Sequence, residues 1–150
     1  MVTDALIRGL PKTDLHVHLD GSLRIPTLIE LSQAQGLPLP SSTEEGMREL
    51  VFKDTYASLP EYLDGFAYTC AALQTAEALE RTAYELAWDN INEGVRYIEV
   101  RFAPHLHMND ALDFDGVLGA VNAGLSRAQA EHGRCAEVVE QGAPPFRYGI

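Results

Sequence analysis

The chain has 150 residues, of which 46% are hydrophobic and 22% are charged, a composition typical of folded globular proteins and not of disordered ones. It carries 11 Lys and Arg residues against 22 Asp and Glu residues, which gives a formal net charge of −11. Phosphate backbones and anionic membranes repel such an acidic surface, so neither nucleic acid nor a membrane is the expected partner. We expect a small dissolved molecule or another protein instead.

The cysteines and the N-terminal residues indicate the cellular compartment. Cys70 and Cys135 lie far apart and form no CxxC pair, so at most one disulfide is possible and no cysteine-based zinc site is predicted. Residues 1–12 lack the basic segment and apolar block of a signal peptide. No apolar run approaches the ~18 residues that a membrane helix needs. These features predict a soluble, cytoplasmic protein.

The first predicted element is a strand over Thr13–Leu19, which follows Pro11 and ends at Asp20-Gly21. Its residues alternate between apolar and polar, and a period of two is typical of a strand. The alternation places Leu15, Val17 and Leu19 on one face and Asp14, His16 and His18 on the other.

Helical spacing and capping signals predict five helices. They run from Pro26 to a stop at Gly36 and Pro38, near Met47–Phe52, from Ser58 to Leu73, from Ala76 to Glu93 before Gly94, and from Phe114 to Glu131. Capping boxes mark two of the starts, because Ser41 and Ser42 precede a glutamate by three residues and Ser58 precedes Glu61 by three.

Two further strands complete the pattern. Val95–Phe102 is β-branched and aromatic, and a third apolar strand begins at Phe146 and reaches Ile150, after a segment over Arg134–Pro145 that fits no simple helix-to-strand turn. Strands that alternate with helices predict an α/β fold with parallel strands. Two complete strands and part of a third cannot close such a sheet or cover both its faces, so we expect part of a domain.

The motif His16-Val17-His18 carries the clearest chemical signal. On a strand, residues i and i+2 leave the same face, so the two imidazoles can converge on one metal ion, and neutral imidazole is a good zinc ligand. The pair lies at the C-terminal end of its strand, which in α/β barrels faces the active site. The alternative is two partly buried histidines that only form hydrogen bonds.

Asp20 follows the same strand and would lie beside such a metal. Its carboxylate could accept a hydrogen bond from a substrate hydroxyl, and its charge disfavours a phosphate there. The alternative is an Asp-Gly turn that binds nothing.

Three blocks resemble one family. Residues 11–23, PKTDLHVHLDGSL, resemble the opening signature of the adenosine deaminase family, in which a strand with HxH precedes Leu-Asp-Gly. Ser58–Phe66, SLPEYLDGF, is similar to the helix that covers that family's purine pocket. Glu93–Leu106, EGVRYIEVRFAPHL, is similar to its second barrel strand and the loop that follows.

The resemblance implies a zinc-dependent (β/α)₈ barrel with a helical insertion after strand 1. Such an enzyme hydrolyses the 6-amino group of a purine nucleoside and releases an inosine-type product and ammonia. The implied metal ligands for Zn²⁺ are His16 and His18. The implied substrate-binding residues are His18, Asp20 for the ribose 5′-hydroxyl, and an apolar gate of Leu59, Tyr62, Leu63 and Phe66.

The family's remaining site groups come from later strands. They are a third zinc histidine, an acid glutamate, an assisting histidine and a metal-bound aspartate. The resemblance therefore implies that residues 1–150 are the N-terminal portion of a single barrel domain, with no catalytic acid or base of their own. The signature of the cytidine-type zinc deaminases, which needs CxxC, is absent from this sequence.

Several alternatives stay open. Aminodeoxyfutalosine competes with adenosine as the substrate, whereas adenine deaminases tend to carry Glu in place of Asp20. AMP is disfavoured because no basic cluster is visible near Asp20. A non-catalytic module that binds a metal or a partner is the main alternative from another class. Two chains that complete one site are a further alternative, and the sequence does not specify an oligomeric state.

Other polar and aromatic residues are expected to be structural. His105 and His107 form a second HxH, but they follow a proline in a loop, so period-two geometry does not apply to them. Glu99 and Arg101 share a strand face and are expected to pair inside a barrel. Packing roles are expected for Cys70 and Trp88, and a position favoured by the helix dipole for His132.

Overall fold

The computed structural model describes residues 2–150, without the side chains of residues 5 and 8. Three parallel strands form one sheet in the order β1-β2-β3. The strands are β1 (Lys12–His18), β2 (Val95–Arg101) and β3 (Arg147–Gly149). The helices are α1 (Asp4–Gly9), α2 (Ile25–Gln35), α3 (Glu44–Leu50), α4 (Leu59–Ala72), α5 (Ala76–Asn92), α6 (Phe114–His132) and α7 (Ala136–Val139).

The three predicted strands, their parallel arrangement and the five predicted helices are confirmed. The short helices α1 and α7 were not predicted. Helix α7 lies within segment 134–145, whose sequence does not fit a simple helix-to-strand turn. None of the described helices is both long and apolar enough to cross a membrane.

Strand β1 contains an irregularity that alters the predicted alternation. Asp14 pairs with Ile98 and Val17 pairs with Val100, so β1 has one more residue than β2 between these two points. An extra residue of this kind is a β-bulge, and it shifts the side chains before it relative to those after it. Leu15, predicted to share one face of the strand with Leu19, is therefore 55% exposed, whereas Leu19 is fully buried.

The helix signals in the region after β1 are largely correct. Helix α2 ends at Gly36, whose φ of 68° is the left-handed conformation that favours glycine. The predicted cap of α3 is wrong, because Thr43 accepts the hydrogen bond from the Gly46 amide, and Ser41 instead accepts one from the Thr43 amide. Ser58 caps α4 as predicted, by accepting from the Glu61 amide at 3.4 Å.

The core lies between β2 and the helix pair α5 and α6. Ile98 of β2 is fully buried with apolar residues of both helices. The two helices cross at Gly124, where an added Cβ would lie 2.2 Å from the Glu80 carbonyl oxygen and 2.9 Å from the Tyr84 nitrogen. Only a residue without a side chain allows this close approach.

The segment that leads into β3 is held by one buried histidine. His132 Nδ1 accepts a hydrogen bond from the Phe146 amide at 3.0 Å, and its Nε2 donates to Glu137 at 2.6 Å. Arg96 of β2 also contacts Glu137, at 3.1 Å. The sequence predicts that the helix dipole favours His132 at the end of α6. The structure adds that the ring is buried, and its two hydrogen bonds supply the partners that a buried polar group requires.

Candidate active site

The C-terminal end of β1 brings the two predicted metal ligands together. The Nε2 atoms of His16 and His18 lie 3.2 Å apart, and both side chains are exposed. Two nitrogens bound to one tetrahedral zinc at ~2.0–2.1 Å would be separated by about 3.3 Å. The spacing of the pair therefore fits a shared zinc ion.

Arg101 determines which ring nitrogen of His16 carries the proton. Its guanidinium donates to His16 Nδ1 at 3.2 Å, and because arginine has no acceptor, Nδ1 must accept. In the neutral ring the proton is then on Nε2, from which it can be donated to His18 Nε2. A metal bound between the two Nε2 atoms would have to displace this proton.

Glu99 and Arg101 do not form the predicted pair. The Tyr97 hydroxyl donates to Glu99 at 3.1 Å, and this carboxylate raises the pKa of Tyr97. The guanidinium of Arg101 is instead engaged by His16 on the neighbouring strand, because His18 and Arg101 are direct partners in the β1–β2 register.

Asp20 lies directly beyond β1, in a 3-10 turn over Asp20–Ser22. It is only 6% exposed, its Oδ1 accepts a hydrogen bond from the Gly21 amide at 3.1 Å, and the same oxygen is 3.8 Å from His18 Nδ1. The Asp-Gly turn exists, as the structural alternative expects. It holds the carboxylate beside the histidine pair, so the turn and a binding role are compatible.

Two cavities share Asp20. The larger, of about 680 Å³, opens at the C-terminal ends of the strands and is lined by His16, His18, Asp20, Val100, Arg101, Phe102, Ala103, Pro104, Leu118 and Ile150. The smaller, of about 220 Å³, lies against α4 and is lined by Asp20, Gly21, Leu23, Ile25, Phe52, Tyr56, Tyr62, Gly65, Phe66 and Thr69. The buried carboxylate of Asp20 thus lines both cavities.

The four residues expected to form the gate divide into two pairs along α4. Tyr62 and Phe66 line the smaller cavity and contact each other edge to face, with ring centroids 5.8 Å apart. An added Cβ at Gly21 would lie 3.3 Å from the Phe66 ring, so this ring covers the turn that holds Asp20. Leu59 and Leu63 lie outside the lining and are 67% and 48% exposed.

His107 is the residue near Asp20 that sequence reasoning did not find. It is fully buried, its Nδ1 donates to the Leu73 carbonyl at 3.1 Å, and its Nε2 has no hydrogen-bond partner among the described residues. A ring nitrogen of His107, a carboxylate oxygen of Asp20 and the sulfur of Cys70 lie within 4.8 Å of one another. In the sequence, His107 stands out only as part of the second HxH motif. That motif predicted no site, because it lies in a loop, where residues i and i+2 need not share a face.

Burial affects the protonation of two members of this group. It lowers the pKa of His107, and it raises the pKa of the Cys70 thiol, which the nearby charge of Asp20 raises further. Both shifts favour the neutral forms. The imidazole is therefore neutral at physiological pH, and the thiol is protonated. Both cysteines of the chain are free.

A third cavity, also of about 680 Å³, lies at the opposite end of the sheet, with Leu10, Trp88, Gly94 and His132 among its lining residues. This is the N-terminal end of the strands, where barrels place residues that stabilise the fold. Both ring nitrogens of His132 are already used. The candidate site is therefore the cavity at the C-terminal ends of the strands, where the imidazoles of His16 and His18 converge.

Parallel strands, a covering helical insertion and converging histidines at the carboxyl end of β1 define the first part of an α/β barrel with a candidate site at the carboxyl ends of its strands. The sequence model of the adenosine deaminase family matches residues 11–141. The chain belongs to the adenosine deaminase family.

Its relatives are longer proteins. The adenosine deaminase of Shewanella halifaxensis is 44% identical over 122 residues, which is 81% of this chain and 37% of that protein. The adenosine deaminase of Vibrio vulnificus is 46% identical over 124 residues, which is 82% of this chain and 38% of that protein. The chain therefore spans a little over a third of the length of these curated relatives.

Solved structures show the same fold. An Arabidopsis protein named ADAL, complexed with IMP, superimposes with a TM-score of 0.68 at 26% identity, over 95% of this chain and 40% of that one. A zinc-bound cog1816 amidohydrolase from Burkholderia ambifaria gives a TM-score of 0.69 at 22% identity, over 89% and 36% of the two chains. The fold is thus the N-terminal part of a (β/α)₈ barrel with helices inserted after its first strand.

Proposed function

We propose that residues 1–150 are the N-terminal portion of a single deaminase barrel domain. The complete protein would hydrolyse the 6-amino group of adenosine or a related purine nucleoside and release an inosine-type product and ammonia. The observation that carries this proposal is the convergence of His16 and His18, at 3.2 Å, on the cavity that Asp20 also lines, within a chain of the adenosine deaminase family.

His16 and His18 would hold Zn²⁺. When bound, zinc lowers the pKa of a water molecule to about 7 and so supplies a nucleophile at neutral pH. This chain contributes two of the ligands and keeps them on one rigid strand. The third zinc ligand and the groups that move protons at the purine ring would come from parts of the barrel outside these 150 residues.

The remaining residues of the site would bind and enclose the substrate. Asp20 would accept a hydrogen bond from the ribose 5′-hydroxyl, with His18 beside it. Tyr62 and Phe66 would cover the base from the apolar side. Leu59 and Leu63, which are exposed on α4 outside the lining of the smaller cavity, would complete the gate on its outer side.

The charge around Asp20 favours a nucleoside over a nucleotide. Among the described residues that line the larger cavity, Arg101 is the one permanent cation, and it is hydrogen-bonded to His16. A phosphate placed beside Asp20 would face a carboxylate with little compensation. IMP occupies the Arabidopsis structure, so a nucleoside monophosphate is the competing substrate. Aminodeoxyfutalosine, a nucleoside modified at its 5′ position, also competes with adenosine.

The test is ammonia release from adenosine and from AMP, with zinc supplied, by the complete protein that contains residues 1–150 and by its His16→Ala variant. His105→Ala is the matched control, because His105 is exposed and lies outside both cavities. We expect release from adenosine in preference to AMP, loss in His16→Ala and retention in His105→Ala. Equal rates in the protein and in His16→Ala would overturn the proposal.

A further inference from the structure

We infer that Asp20, Cys70 and His107 form a second cation site, separate from the His16–His18 pair, for a divalent transition metal of the zinc class. The three residues come from three places in the fold: the turn after β1, helix α4 and the loop after β2. A carboxylate oxygen, a sulfur and an imidazole nitrogen form a donor set that zinc accepts.

The distances allow one ion to reach all three groups. The ligand atoms lie within 4.8 Å of one another. Ligands of a tetrahedral zinc lie about 3.3–3.6 Å apart, so the side chains need to approach one another by no more than about 1.5 Å. Rotation of Cys70 and Asp20 about their first side-chain bonds can supply such a movement.

His107 provides the second, independent observation. Its Nδ1 proton is directed to the Leu73 carbonyl, so the lone pair of the neutral ring is on Nε2. This nitrogen is completely buried and no described residue donates to it. Buried polar atoms normally have a partner, and an unpartnered nitrogen in a residue that lies beside a carboxylate and a thiol is one that an ion or a water molecule would satisfy. A ring with Nδ1 held by a backbone carbonyl is also the arrangement in which histidine binds metals.

The other two ligands are available. Asp20 uses Oδ1 to accept from the Gly21 amide, and its charge attracts a cation. Cys70 lies partly buried on α4 and forms no disulfide. Binding of a divalent metal would replace the thiol proton, which passes to solvent, and a water molecule would complete the coordination.

The site has a consequence for the reaction that rests on the proposed function. Asp20 is the residue proposed to accept the 5′-hydroxyl of the nucleoside. A cation that engages this carboxylate would compete with the nucleoside, so the second site is inhibitory. Zinc in excess of that held by His16 and His18 would raise the KM for adenosine.

The test is a titration of the metal-free protein with Co²⁺, followed by the thiolate-to-cobalt charge-transfer absorption that only a cysteine ligand produces. We expect the band in the protein and in two matched controls, Cys135→Ser and His105→Gln. We expect it to disappear in Cys70→Ser and to require at least tenfold more Co²⁺ in His107→Gln. Absence of the band in the protein, or its retention in Cys70→Ser, overturns the inference.

The His16→Ala variant separates this site from the proposed zinc site. Loss of ammonia release with retention of the band supports two independent sites. Failure of the proposed function would appear as unchanged ammonia release in His16→Ala, whatever happens to the cobalt band. If His16→Ala abolishes the band, the cysteine and His16 bind the same ion and the separate site is overturned. Circular dichroism of each variant verifies that it is folded.

Discussion

The Nε2 atoms of His16 and His18 lie 3.2 Å apart on one face of β1, close to the separation that two ligands of a single zinc ion require. Substitution of either residue by alanine is expected to lower zinc affinity by at least about 100-fold, because loss of a direct ligand exceeds the 10–100-fold cost of losing an outer partner. Metal content after dialysis, measured by mass spectrometry, tests this. His105→Ala should retain the zinc, and unchanged content in both His16→Ala and His18→Ala would remove the assignment.

Asp20→Asn is expected to impair nucleosides with a free 5′-hydroxyl more than 5′-deoxy analogues. A hydrogen bond to a charged group contributes about 1.5–3 kcal/mol, so kcat/KM for adenosine should fall roughly 10- to 150-fold. The fall for 5′-deoxyadenosine should be much smaller. Equal losses on both substrates would show that Asp20 serves only the turn. Asp110→Asn, an exposed residue outside both cavities, is the control.

Phe66→Ala is expected to reduce kcat/KM for adenosine about tenfold, which corresponds to about 1.4 kcal/mol of lost apolar contact. The reason is that Phe66 lines the cavity beside Asp20 and packs against Tyr62. Leu59→Ala, on the exposed outer side of the gate, should reduce kcat/KM by a smaller factor than Phe66→Ala does. The comparison fails if Leu59→Ala is the more damaging of the two.

His132→Phe is expected to destabilise the fold without touching the site. It removes the acceptor for the buried Phe146 amide, and an unsatisfied buried group costs about 1–3 kcal/mol. Urea unfolding should show a lower midpoint, while His105→Phe should lie within about 0.5 kcal/mol of the parent. A midpoint that does not move would mean that the hydrogen bonds of His132 contribute nothing net.

Two glycines of α6 should respond in opposite directions to the same substitution. Gly124→Ala places a Cβ against the backbone of α5 and should destabilise by several kcal/mol, because neither helix backbone can yield locally. Gly119 has no atom within 4 Å of its Cβ position, so Gly119→Ala should stabilise by about 0.5–1 kcal/mol through helix propensity. Thermal unfolding of the two variants in parallel measures both signs.

Local patterns explain which parts of the structure could be predicted. His16, His18 and Asp20 are neighbours in sequence, so alternation and the end of a strand were sufficient to place them together. The capping residue of α3 was predicted wrongly because Ser41 and Ser42 both have the spacing of a capping box. Only the folded backbone shows that Thr43 accepts the hydrogen bond from the Gly46 amide.

The features that sequence could not provide depend on tertiary contacts. The bulge in β1 is defined by its pairing with β2, so it cannot be predicted from the apolar–polar alternation of β1 alone. The grouping of Asp20, Cys70 and His107 requires three elements to be packed together, and each residue has an unremarkable local sequence. The sequence predicts a pair between Arg101 and Glu99 because the two residues share one face of β2, whereas the partner of Arg101 is His16 on the neighbouring strand β1.

The helices inserted between β1 and β2 affect how the protein is made. His16 and Arg101 are in contact but 85 positions apart in the chain. At about 5–20 residues per second, the ribosome needs roughly 4–15 s to synthesise the chain between the end of β1 and the start of β2. During that interval β1 is an unpaired strand. Long-range strand pairing of this kind slows folding, so we expect newly made β1 to depend on chaperones or on early docking of the inserted helices.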